Sequence, residues 1–169
     1  MKNLYSYLWL IPLYTFLQVL ILNNIQFINF INPLVYLIII ITLSQDTERW
    51  FILFISLILG IMLDVFEGNI GMNSSSLVFI GFLLPYIQNG IIPKNTIDEK
   101  EKLNLNNLGI QTFSIYSFTI ILIHNLFFFI LEHFSLENIL FVILKVICSS
   151  IVTLIIIIIF QLFLSNQKD

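Results

Sequence analysis

The residues able to do chemistry in this chain are few, and most of them crowd into one stretch, Leu59–Phe79, which reads LGIMLDVFEGNIGMNSSSLVF. Asp64 is the only ionisable side chain close to the end of the apolar run that precedes it. Ser56, Gly60 and Asp64 recur every four residues, so on a helix they share one stripe. Ser56 and Gly60 form a notch of small residues, the pattern that lets a second helix approach closely inside a membrane. A carboxylate at the centre of a membrane helix costs about 2.5–3.5 kcal/mol on insertion scales, and less near the surface. Two roles for Asp64 therefore stand open: a solvated helix end, or an acceptor that orders the following loop and the start of the next helix. The second is the expectation. Gly68 and Gly71 flank Asn69-Ile70, a composition suited to a tight reversal. Asn73, ahead of Ser74, suits the N-cap of the next helix.

Elsewhere the chemistry is thin. His124 and His133 stand nine apart, without an acidic or cysteine neighbour at metal-ligand spacing, so no metal site is expected. His124 is expected to hydrogen-bond within a helix bundle. Lys145 lies within a long apolar run; it either snorkels to the surface or pairs with Asp64 or Glu132. The single cysteine, Cys148, reads as a small packing residue. Serine–histidine–acid triads, phosphate-binding glycine loops and HExxH are missing from the sequence, so no catalytic, cofactor-binding or metal residue is assigned.

The frame that positions these residues follows from composition. Hydrophobic residues make up 59% of the 169 residues and charged ones 10%, with a mean hydropathy of +1.00. A soluble domain carries roughly 25% charged residues, and one of this size has too little interior for so much apolar surface. The chain therefore reads as a single all-α integral membrane domain over residues 1–169. A net charge of −3 and the lack of a basic face argue against nucleic acid as a partner. Alanine is absent, so glycine and serine mark the places where helices approach closely.

About six transmembrane helices are expected in one bundle, since a span needs about 20 mostly apolar residues. They are Leu4–Leu22, with Pro12 inside and no cleavage site after it; Leu34–Leu43, short, and either crossing with little tilt or by borrowing Asn32, Pro33 and Ser44, or else re-entrant; Trp50–Leu63, continuing toward Phe66; Ser74–Ile92, with Pro85 inside; Leu108–Leu131; and Asn138–Leu164. The asparagine-rich Asn23–Pro33 reads as an interfacial loop or short amphipathic helix, Asp64–Asn73 as the loop between the third and fourth spans, and Pro93–Asn107 as a solvated linker. With six spans, Lys2, Arg49, Lys94, Lys100, Lys102 and Lys168 all fall on one side. Cytoplasmic loops collect lysine and arginine, which puts both termini in the cytoplasm.

Gly60, Asp64, Gly68, Gly71, Asn73 and the small residues Ser74–Ser76 together resemble the signature of the MreD family, the bacterial rod shape-determining membrane proteins. The resemblance covers about twenty residues, Gly60–Phe79; elsewhere it is one of size, span count and cytoplasmic termini, with Gln18 to Asn24 similar to the end of the family's first span. Serine stands where the family often has alanine, and Glu67 adds a charge to the loop. The resemblance implies a non-enzymatic protein of the inner membrane that serves cell elongation and peptidoglycan synthesis. Its implied partner is MreC and, through it, MreB, RodA and penicillin-binding protein 2. It also implies a fold similar to the substrate-binding subunits of energy-coupling-factor transporters, with Gly60, Asp64, Gly68, Gly71 and Asn73 as the interaction motif. The rival reading is a small-molecule-binding subunit of a membrane transporter, whose pocket would draw on Asn23, Asn24, Gln26, Asn29, Asp64, Asn69 and Asn73.

Overall fold

The computed structural model describes residues 4–22, 31–68, 71–93, 98–132 and 139–165. The described chain is all-helical: α1 (Leu4–Leu17) running into a π-helical turn (Gln18–Leu22), a 3-10 turn (Val35–Leu37) leading into the single-turn α2 (Ile38–Ile41), then α3 (Arg49–Glu67), α4 (Met72–Ile91), α5 (Leu105–Glu132) and α6 (Ile139–Ser165). Four of these, α3 to α6, are long and apolar enough to cross a membrane. Their outward residues are large and apolar, among them Trp50, Val65, Phe82, Ile110, Leu140 and Phe163. The chain is a membrane protein: without a lipid solvent that surface would be left in water.

Helices α3 to α6 pack in chain order, each antiparallel to the next, and α1 closes against them. Phe16 of α1 meets Phe66 of α3, and Tyr14 meets Phe160 of α6. Phe79 and Phe127 stack between α4 and α5 with centroids 4.4 Å apart. Asn125 of α5 donates to Ser150 of α6 at 2.9 Å. Toward the far end of the same pair, Lys145 bonds Glu132 at 2.9 Å while its ammonium lies over the Phe129 ring. Of the roles open to Lys145, pairing with Glu132 is the one found.

The second expected span takes a form that hydropathy does not suggest. Its helical part, Val35–Ile41, rises only about 12 Å at 1.5–2.0 Å per residue, far short of a bilayer core of about 30 Å. It is also enclosed by protein, for no hydrophobic residue from Leu34 to Leu43 is more than 5% exposed. This apolar stretch is the axis of the bundle instead of a lipid-facing helix.

Backbone that is not helical survives inside a membrane only where protein satisfies its polar groups, and here side chains from four helices do so. Gln18 works in both directions, donating to the Pro33 carbonyl (2.9 Å) and accepting from the Val35 N–H (3.1 Å). Ser149 and Thr153 of α6 accept from the N–H groups of Asn32 and Leu34. At the other end Gln88 of α4 donates to the Leu43 carbonyl and Tyr116 of α5 to the Ile41 carbonyl, both at 3.1 Å.

Helix α3 runs on to Glu67, past the expected end of the third span, and the reversal into α4 shrinks to Gly68–Gly71. Gly68 and Gly71 take φ of 71° and 77°, values that side chains with a Cβ avoid. The first ends α3 as a left-handed cap; the second stands just ahead of α4. At the opposite end, the Asp46 N–H bonds the Glu99 carbonyl at 2.9 Å, tying the segment that carries Arg49 to the one that carries Lys100 and Lys102. Lys2, Lys94 and Lys168 lie outside the described residues.

Candidate functional site

The motif residues converge where α3 turns into α4. The stripe formed by Ser56, Gly60 and Asp64 faces α4 along its length. A Cβ at Gly60 would overlap the Cα of Ser74 and stand 2.8 Å from its backbone nitrogen. One more such contact lies deeper, where a Cβ at Gly81 would stand 2.5 Å from Ser56 Oγ. The backbones thus approach as closely as the small residues allow, and Ser56 turns its own hydroxyl back to the Ile52 carbonyl.

That approach delivers the Asp64 carboxylate to the start of α4. One oxygen accepts the Asn73 N–H at 2.9 Å; the other accepts the Ser74 N–H at 3.0 Å and the Ser74 hydroxyl. The first turn of a helix leaves its N–H groups without internal partners and presents the positive end of the helix dipole. A carboxylate answers both. Asp64 is 8% exposed, so it is an interior clamp and not a solvated helix end.

Asn73 is not the N-cap that its position beside Ser74 suggests. Gly71 precedes the helix and Asn73 lies within the first turn. A carboxylate borrowed from α3 replaces a local cap, which frees the Asn73 side chain. Its amide donates to Glu67 at 2.8 Å, and its carbonyl oxygen accepts the Tyr36 hydroxyl at 3.3 Å. Asn73 therefore joins three elements: the end of α3, the start of α4 and the buried axial segment.

Comparison with known proteins returned no match. No family model fits the chain, and no curated protein or solved structure is significantly similar to it.

Geometry thus brings Gly60, Asp64, Gly68, Gly71 and Asn73 into one corner and adds three residues that the sequence reading missed as partners. Glu67 stood out only as an extra loop charge, and Ser74 only as a small residue. Tyr36 carried a weak signal, a phenol inside an otherwise aliphatic run. Of the polar residues available to a ligand pocket, Asp64 is occupied by the start of α4 and the Asn73 side chain by Glu67 and Tyr36, whereas Asn23, Asn24, Gln26, Asn29 and Asn69 lie outside the described residues. His124 is fully buried beside Tyr36, ring centroids 5.7 Å apart and edge to face. Neither ring nitrogen has a partner at ordinary hydrogen-bond geometry among the described residues, and the Asn125 side chain is the polar neighbour of the ring. His133 lies outside them, as does most of the α5–α6 connection.

The corner is built for rigidity. Each carboxylate oxygen and both ends of the Asn73 amide are engaged in holding chain to chain. Beside them Ile61, Val65 and Phe66 project outward, 48%, 73% and 48% exposed. A fixed corner with a bare apolar flank offers contact surface to lipid or to another membrane helix.

Proposed function

We propose that this chain is a non-enzymatic scaffold of the bacterial cell-elongation machinery, a multi-pass inner-membrane protein of the MreD type. It crosses six times with both termini in the cytoplasm, the axial segment serving as the second crossing, in a fold akin to the substrate-binding subunits of energy-coupling-factor transporters. It acts by presenting the α3–α4 corner to an MreC-like membrane partner and, through that partner, to MreB, RodA and penicillin-binding protein 2. The observation that carries this reading is the Asp64 clamp. The residues on which the resemblance rests form one fixed structural unit, their polar atoms hold the backbone, and an apolar flank adjoins them. The clustering of Arg49, Lys100 and Lys102 at the opposite end fits the orientation, since cytoplasmic loops collect such residues.

The test is co-purification of the tagged chain from its native membrane. The parent should bring down an MreC-like protein, and Asp64→Leu, at matched membrane level, should lose it. Equal recovery with both would remove the corner as the docking surface. Recovery of transporter subunits in place of elongation proteins would assign the chain to the rival reading.

A further inference from the structure

Among the described residues, the buried side-chain atoms without a hydrogen-bond partner are both ring nitrogens of His124, Asn125 Oδ1 and Ser117 Oγ. All belong to α5, and all three residues are fully buried. The rest of the bundle answers even awkward groups, such as the backbone at Asn32, Pro33 and Leu34, with side chains drawn from distant helices. A neutral imidazole presents one donor and one acceptor, and an amide oxygen presents an acceptor. Leaving such groups unmatched in an interior is costly, and buried polar sites of this kind are where proteins hold water.

We infer that His124 and Asn125 bind internal water in the core of the bundle, and that this hydrated site is the inner end of a polar path entering at the α3–α4 corner. The stoichiometry suits water. One water can accept from the imidazole N–H, a second can donate to the bare ring nitrogen, and either can donate to Asn125 Oδ1. One molecule does not reach both nitrogens of the ring, so the site takes a pair. Asn125 is held in place by its amide, which donates to Ser150, leaving its oxygen to face the site. Toward the corner, the Tyr36 ring lies edge to face against the imidazole, its hydroxyl donates to Asn73, and the Asn73 amide donates to half-buried Glu67. Ser117 is a separate station. It lies seven residues before His124, about 10 Å along the axis at 1.5 Å per residue, with the fully buried Ile120 and Ile121 between them. This inference does not depend on the scaffold reading.

The experiment is magic-angle-spinning NMR on uniformly nitrogen-15-labelled protein in lipid bilayers. His133→Gln serves as the background, so that His124 supplies the one imidazole signal. Magnetisation passed from water should reach the His124 ring nitrogens several-fold faster than the backbone amides of Ile120 and Ile121. Build-up no faster than at those amides would overturn the hydrated site. In the same background Tyr36→Phe keeps the ring and removes the hydroxyl, and should slow exchange of the imidazole proton into heavy water several-fold. An unchanged rate would remove the route through the corner.

Discussion

Replacing Asp64 tests the corner most directly, because the structure assigns each of its oxygens. In Asp64→Leu the N–H groups of Asn73 and Ser74 lose their acceptor inside the protein, at about 1–3 kcal/mol each. The Ser74 hydroxyl can turn to a backbone carbonyl and adds little. The insertion cost of the carboxylate applies equally to the folded bundle and to inserted but separated helices, so it cancels in a folding measurement. The expected loss is therefore about 2–6 kcal/mol, the sum of the two orphaned groups. Asp64→Asn keeps one acceptor oxygen and forgoes the charge-assisted part, worth about half of such a bond, so it should fall between parent and leucine. Ser74→Ala removes a single hydroxyl bond and should cost about 1 kcal/mol. The assay is reversible unfolding of the purified protein in mixed micelles of rising denaturing-detergent fraction. The order leucine, asparagine, Ser74→Ala, parent is required. Leucine matching the parent, or Ser74→Ala exceeding leucine, would show that the carboxylate does not hold α4.

Gly60→Ala should destabilise more than Ser75→Ala in the same unfolding assay, because its Cβ meets backbone and the helices must separate; equal tolerance would place Gly60 away from α4. Gln18→Leu strips two partners from the Pro33–Val35 backbone and should cost about 2–6 kcal/mol, seen as increased protease cleavage near residue 33; an unchanged digest would deny the clamp. Cysteines placed at Lys100 and at Gly68 should label from the cytoplasmic and outer sides respectively, and the reverse pattern would invert the orientation.

The long spans and the α3 stripe were legible because their signals are local. Length, hydropathy and a four-residue spacing are properties of one segment at a time. The buried axis was not. A continuous apolar run looks alike whether lipid or protein surrounds it, and Leu34–Leu43 declares its difference only by being shorter than an ordinary helical span. The side chains that fasten it, Gln18, Gln88, Tyr116, Ser149 and Thr153, come from four helices, separated from their targets by up to 119 residues; no pattern within one segment reveals such pairings. The Asn73 cap was misplaced for a related reason. A local rule assigns the cap to the nearest polar residue, whereas here a carboxylate nine residues upstream takes the N–H groups of Asn73 and Ser74.

The fastening of the axial segment also sets an order of manufacture. Residues 31–46 leave the ribosome before α6, yet the N–H groups of Asn32 and Leu34 find their acceptors on Ser149 and Thr153 of α6, 117 and 119 residues later. Until α6 has been made and inserted, those groups have no protein partner, and lipid supplies none. The segment is therefore fully fastened only once α6 is in place. A nascent chain halted before Ser149 should keep the Asn32–Leu34 region open to water-soluble labels, and one halted after α6 has cleared the machinery should close it.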